Sequence, residues 1–283
     1  MPRSVTQSLA MVNPLPAPPR ESRASADTAE GGASGRAPAA AASGGAAFSP
    51  LYRQIKDLLL QSLERGEWKP GEAIPSELEL AARFQVSQGT VRKAIDELAA
   101  DNVLLRRQGK GTFVATHHEA KVRYRFLRLA PDEGGEPAPA ESRILECRRV
   151  RAPQDVARSL EIRPGDSAVL IRRLLSFGGV PTVLDEIWLP GVLFRGLTQE
   201  RLMRNQGPLY AFFETGFGVS MIRADEKLRA VPAAADVAEI LQVATGAPLM
   251  QVDRVSYTYG ERPVEVRRGL YRTDRHHYRT RVN

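Results

Sequence analysis

Two short runs carry side chains of the kind that grip a nucleic-acid duplex: Ser87-Gln88-Gly89-Thr90-Val91-Arg92-Lys93, and Arg106-Arg107-Gln108-Gly109-Lys110-Gly111-Thr112. Gln can pair bidentately with adenine and Arg with guanine, and Thr can touch a phosphate or a thymine methyl. In the first run the apolar stripe falls on Val91, Ala94, Ile95 and Leu98. Gln88, Thr90 and Arg92 are then left to face outward. A helix starting at Ser87 also offers its first backbone N–H groups to a phosphate. In the second run Gly109 and Gly111 permit positive φ and close backbone approach. A basic tip of that kind can lie along phosphates or enter a minor groove. Along the sequence, Arg92, Lys93, Arg106, Arg107 and Lys110 stand apart from the acids Glu64, Glu67, Glu72 and Glu77.

The elements that must position these runs are legible around them. Leu51, Ile55, Leu58, Leu59 and Leu63 recur at helical spacing, and Gly66 with Pro70-Gly71 ends that helix. Ser76 followed by Glu79 has capping-box spacing. Leu78, Ala81, Ala82 and Phe84 are expected to form the inner face of the short helix that follows. Gln85-Val86-Ser87 is the turn into a third helix, which ends near Asp101-Asn102. Val103 to Arg107 and Thr112 to Val114 read as two strands around the glycine turn. Two short helices flanking a tight turn have helix-turn-helix proportions, in which the second helix enters the major groove. Net charge does not argue the case, since residues 48–116 hold ten Lys/Arg against nine Asp/Glu.

The rest of the chain is of different material. Residues 1–47 are rich in Ala, Gly, Ser and Pro without an apolar period, and are expected to be a disordered tail. No apolar core follows their early arginines, so they do not read as a secretory signal. From Lys121 onward strands dominate. They are expected at Val122 to Leu129, Ile144 to Val150, Ala168 to Phe177, Thr182 to Leu189, Val219 to Val231, Leu249 to Tyr259 and Val264 to Arg272. Helices are expected at Thr198 to Asn205, Leu209 to Glu214 and Ala233 to Leu241. Hairpins close through Gly178-Gly179-Val180-Pro181 and Gly260-Glu261-Arg262-Pro263. The whole is α+β with a mostly antiparallel sheet. The domains are expected to be a tail (1–47), a DNA-binding unit (48–116), a linker (117–121) within a hinge from Ala115 to Lys121, and a sheet domain (122–280).

Several chemistries are excluded or unsupported. Cys147 is the single cysteine, so there is neither an intrachain disulfide nor a Cys-rich zinc site. The histidines form two adjacent pairs, His117-His118 and His276-His277, whose side chains diverge and make no chelate. No apolar run is long enough to span a bilayer. No G-x-S-x-G, Walker loop or metal-ligand spacing occurs, and no cofactor is expected. The formal charge of +7 permits anionic partners without naming one.

P-L-Y-R-Q-I-K, K-P-G-E-A-I-P-S-E-L-E-L-A, V-S-Q-G-T-V-R-K-A-I-D-E-L and R-R-Q-G-K-G-T-F-V, in that order, resemble the winged helix-turn-helix of GntR family transcriptional regulators. The resemblance implies a cytoplasmic homodimer that binds a double-stranded operator, with repression the default sign. Family contacts fall on Thr90, Arg92, Gln108, Gly109 and Lys110. The full DNA-facing set is then expected to be Ser76, Ser87, Gln88, Gly89, Thr90, Arg92, Lys93, Arg107, Gln108, Gly109, Lys110, Gly111 and Thr112. Gln88 and Leu78 stand where the family usually has Arg, which implies a different operator sequence.

I-R-R-L-L-S-F-G-G-V-P-T-V-L-D-E-I-W-L-P, P-L-Y-A-F-F-E-T-G-F-G-V and E-R-P-V-E-V-R-R-G-L-Y-R-T-D-R-H-H-Y resemble the UTRA ligand-sensing domain of the HutC-like branch. This implies a chorismate-lyase-like sheet, dimerisation through that domain, and a small-molecule effector held by Arg173, Asp185, Glu265 and Tyr271. Arg173 offers a planar fork for a carboxylate or phosphate. Asp185 and Glu265 could accept hydrogen bonds from ligand hydroxyl or amine groups, and Tyr271 offers a phenol. The competing reading of Arg173 is a structural ion pair with Asp185 or Glu265. Leu175 and Pro208 replace an Arg and a Ser of the branch's sugar-phosphate sensors, which argues against a phosphosugar. The cluster Arg267, Arg268, Arg272, Arg275, Arg279 and Arg281 is expected on the surface or at an interface. The rival class is a lyase-like enzyme working through the same cavity, but fold likeness alone does not carry activity.

Overall fold

The computed structural model describes residues 49–118, 127–134 and 139–280. The tail 1–47 and the expected strand residues 122–126 lie outside the described residues, as do linker residues 119–121 and Arg281.

The first part is a three-helix unit with a hairpin. Helices α1 (Leu51–Glu64), α2 (Glu77–Phe84) and α3 (Gln88–Ala100) precede strands β1 (Leu104–Arg107) and β2 (Gly111–Val114). Ser76 caps α2 with a full capping box, and Ser87 caps α3 by accepting the Thr90 N–H at 3.2 Å. Gln85 takes a left-handed conformation (φ 54°) in the turn between α2 and α3. Ile55, Leu59, Leu80, Val91, Ala94, Ile95, Leu98, Leu104 and Val114 form the core. Truncating one such residue, Ile95, to Ala costs about 2–5 kcal/mol in a typical core.

Two expectations about inner faces fail here. Leu51 and Leu58 are exposed, and in the second helix Ala82 is exposed and Leu78 is 69 % exposed. In an eight-residue helix the core takes Leu80 and Ala81, with Phe84 packed beside them. Leu78 is two residues from Leu80, hence more than half a turn away.

The second part is one antiparallel sheet with helices on its connections. After β3 (Leu129–Pro131) come β4 (Ala140–Arg151), α4 (Gln154–Ser159), β5 (Ser167–Phe177), β6 (Val180–Pro190), α5 (Gln199–Arg204), α6 (Leu209–Phe217), β7 (Arg223–Pro232), α7 (Ala235–Leu241), β8 (Pro248–Tyr257), β9 (Pro263–Arg272) and β10 (His276–Tyr278). The sheet order is β4-β5-β6-β9-β8-β7, and β3 pairs separately with β10. Gly178 and Gly179, both with positive φ, turn β5 into β6. The segment 219–222, expected to begin a strand, runs as a connection into β7.

The two parts touch. The single helical turn Tyr259–Glu261, between β8 and β9, packs Tyr259 on the core of the three-helix unit. A Cβ on Gly260 would lie 2.9 Å from Glu64 Oε1, at the end of α1. Ile222 packs on the same core.

Candidate nucleic-acid interface and effector cavity

Of the expected DNA-facing residues, Ser76, Gln88 and the hairpin run Arg107 to Thr112 line one groove of about 560 Å³ together with Glu77, Leu78 and Arg106, whereas Ser87, Gly89, Thr90, Arg92 and Lys93 lie outside its wall. The hairpin is fixed by the register Leu104↔Val114 to Arg107↔Gly111 and by an Ile74 N–H that donates to Thr112 O at 2.9 Å. Its tip turns at Gly109 (φ 70°) and Gly111 (φ 105°). Lys110 is exposed there. Arg107 lies over the Phe113 ring at 4.3 Å, and the Lys93 ammonium over the Tyr52 ring at 4.0 Å. The hydroxyls of Ser76 and Ser87 are engaged in capping.

The expected segregation of charge does not survive folding. Glu77, the first residue of α2, sits among the cations. It accepts from Arg92 Nε at 2.9 Å, from Arg106 at 2.9 Å and from Gln88 Nε2 at 3.3 Å. Burial alone would raise its carboxyl, but the hydrogen bonds and charges of Arg106 and Arg92 outweigh it and hold it below the usual range. Distance along the chain concealed this, because the capped turn brings the start of α2 against α3 and β1.

The second site is a cavity of about 720 Å³ between the sheet and the start of α6. Its wall includes Arg143, Arg173, Arg254 and Arg267, with Glu141 as the one acid, and also Tyr210 and Tyr271. Of the four expected effector residues, Arg173 and Tyr271 line it. Asp185 and Glu265 do not; both are buried at 1 % and 0 % exposure, behind the arginines. Asp185 Oδ2 and both Glu265 oxygens hold guanidinium groups, while the buried Asp185 Oδ1 has no hydrogen-bond partner among the described residues.

Strand register explains the network. Arg173 lies opposite Asp185, and Arg254 opposite both Arg267 and Glu226. Arg173 forms the ion pair with Asp185 that was weighed against a ligand contact, yet it also lines the cavity, and its Nε is left without a partner among the described residues. Arg267 reaches Asp185 at 3.2 Å and Glu265 at 2.8 Å, and Arg254 reaches Glu226. Tyr210 donates its hydroxyl to Glu265 at 2.7 Å. Burial would raise the Asp185 carboxyl, but the charges of Arg267 and Arg173 hold it below the usual carboxylate range. The same contest, won by Arg267 and the Tyr210 hydroxyl, lowers Glu265. Burial pushes the Tyr271 phenol up to about 12, with the Asp185 charge adding to it. A Cβ on Gly269 would come within 2.7 Å of the Tyr271 ring, so glycine lets that ring lie along β9.

Arg254, Arg267 and Tyr210 were not among the expected site residues. Arg267 is expected on the surface or at an interface, yet it is 7 % exposed and faces the cavity. Strand alternation held the signal, since residues 265, 267, 269 and 271 share one face of β9.

Residues 51–114 match the family described as bacterial regulatory proteins, gntR family, and residues 138–277 match the UTRA domain. The repressor MngR of the Escherichia coli mannosyl-D-glycerate transport/metabolism system is 30 % identical over 80 % of this chain and 92 % of its own length. The chain belongs to the GntR family. It carries the UTRA domain of the HutC-like branch, and is a DNA-binding transcriptional regulator with an effector-binding C-terminal domain, not an enzyme. The histidine utilization repressor of Pseudomonas putida is 25 % identical over 81 % of this chain and 90 % of its own length. The crystal structure of the ligand-binding domain of a GntR-family regulator from Bordetella bronchiseptica is 64 % identical, covering 56 % of this chain and 99 % of that one, with a TM-score of 0.56. For this GntR regulator the groove therefore belongs to the DNA-binding unit and the cavity to the UTRA domain. Among the described residues no helix is long and apolar enough to cross a membrane.

Proposed function

We propose that this regulator is a repressor whose two protomers associate through their UTRA domains and read a pseudo-palindromic operator, and that a small organic carboxylate entering the cavity releases it. A two-fold protein matches a two-fold site. Within each winged helix, Arg92, Gln88 and Thr90 face base edges, while Lys110, Arg107, Gln108 and Thr112 follow the backbone. Ser87, Gly89 and Lys93 bring the start of α3 to a phosphate, and Ser76 sets the angle of α2.

The observation that carries the effector class is the cavity wall, where Arg143, Arg173, Arg254 and Arg267 meet a single lining acid, Glu141. The remaining wall includes Ile144, Leu175, Leu202, Met203, Pro208 and Leu209. Leu175 and Pro208 stand where phosphosugar sensors of the branch place Arg and Ser, so the wall suits a compact anion on a less polar body. The names of the two relatives support the same class, because mannosyl-D-glycerate and histidine each carry a carboxylate.

A thermal-shift series on the full chain tests this with organic carboxylates, inorganic phosphate, hexose phosphates and amines as probes. A ligand bound only by the folded form stabilises it by about 2.7 kcal/mol at a hundredfold excess over Kd. Carboxylates should raise Tm and release operator in a gel shift. If only amines or hexose phosphates do so, the proposed class is wrong.

A further inference from the structure

Helix α6 faces two ways. Its first turn, with Pro208, Leu209 and Tyr210, walls the cavity. One turn later Glu214, 7 % exposed, reaches the segment that leaves the winged helix. Its carboxylate accepts from the Thr116 hydroxyl, from the His117 N–H at 3.3 Å and from the Ser220 hydroxyl at 3.3 Å. Residues 210 and 214 are four apart, so they share one face of the helix.

A second contact runs beside the first. His117, 3 % exposed, sets its ring edge-on to the Tyr210 ring with centroids 5.3 Å apart, and its Nε2 donates to Met221 O at 3.0 Å. The Tyr210 hydroxyl is bonded to Glu265, and Arg267 lies over the Tyr210 ring at 5.2 Å. Thr116 follows strand β2 of the hairpin by two residues, and the intervening Ala115 is buried. Cavity, Tyr210, His117 and hairpin thus form one unbroken chain of contacts.

We propose that α6 couples the cavity to the winged helix, with Glu214 and His117 as the positioning residues. An anion that draws Arg267 away from Glu265 and Asp185 alters what holds Tyr210. Any shift of α6 is then passed to Thr116 and His117 without slack, because the connection to β2 is short and buried. Glu214 contributes buried acceptor oxygens that keep the departing chain attached to the helix. This inference rests on the regulator reading of the two sites, but adds a route between them. Contact alone does not establish coupling, so the test must measure it. Coupling is reciprocal, and DNA on the winged helix must therefore be felt at the cavity.

The experiment uses full-length protein and a duplex that the wild type itself selects from a randomised pool. Hydrogen exchange is followed in peptides covering residues 207–217, with and without that DNA. In the wild type, DNA should change exchange at the first turn of α6 by roughly fivefold or more, the low end of common couplings. Glu214→Gln should bind the same duplex within about threefold, well inside the span of such couplings, yet lose the response at α6. Should Glu214→Gln not fold, Thr116→Val removes one donor from the same contact and takes its place. An unchanged response in the folded variant overturns the route while leaving the regulator reading intact. A wild type that selects DNA but shows no response at α6 also overturns it. A wild type that selects no DNA sinks both readings.

Discussion

At the scale of single residues, the informative one is Glu77. A carboxylate in a groove meant for phosphates weakens binding to any DNA, so its presence needs a compensating use. It grips Arg92 by Nε, which leaves the terminal guanidinium nitrogens for a base edge and limits their wandering. Arg92→Ala should cost about 1–3 kcal/mol on the selected duplex and little on random DNA. Glu77→Gln should do the reverse: tighter binding to random DNA, because one repulsive charge is gone, and a smaller ratio of specific to random affinity. Fluorescence anisotropy on both duplexes checks the pair. If the ratio is unchanged in Glu77→Gln, the carboxylate does not position Arg92. The outward placement of Gln88 and Arg92 was legible because a helix with a clear buried stripe dictates its outer face, while Thr90 is half-buried with its hydroxyl against Ser87. The partners of Arg92 were not, because ion pairs join residues from different elements and chain order does not reveal them.

At the scale of elements, the sheet was readable where glycine turns punctuate it. The short pieces were not: α4 has six residues and β10 three, too few for a period to show. The cavity was half legible. Arg173 and Tyr271 stand on its wall, whereas Asp185 and Glu265 lie beneath it and serve the arginines. The buried acids set an acid limit on this domain. Folding lowers the Asp185 and Glu265 carboxyls from unfolded values of about 4. Their stabilisation is therefore complete above about pH 5, and is lost as pH falls through about 4 toward the folded values. Asp185→Asn should be less stable at pH 7 and should lose less on acidification, in thermal melts from pH 7 to pH 3. Equal acid sensitivity in variant and wild type would place the acid limit elsewhere. Removing one partner of a buried pair typically costs about 3–5 kcal/mol. Arg173→Ala should accordingly lower Tm as well as effector binding, and a variant that binds DNA normally but no longer responds to carboxylates must first be shown to be folded.

For the whole molecule, bulk charge is a poor guide. The winged helix is nearly neutral by composition, with ten cations against nine acids in residues 48–116. DNA affinity must come from placement, and Lys110 at the exposed hairpin tip is the cleanest case. Each phosphate neutralised releases counterions and contributes about 0.9 to the slope of log K against log salt. One winged helix acting alone would lose about that much with Lys110→Ala. Two related by a two-fold axis lose two contacts at once, about 1.8 in slope, and the loss should be the same on specific and random duplexes. The measurement is a salt titration from about 50 to 200 mM, the range over which such slopes are read. A change near 0.9 would mean that only one head engages DNA, and the proposed two-fold reading of a pseudo-palindrome would have to be abandoned. A change near zero would remove the hairpin tip from the backbone. The result thus separates the role of one lysine from the symmetry of the assembly that carries it.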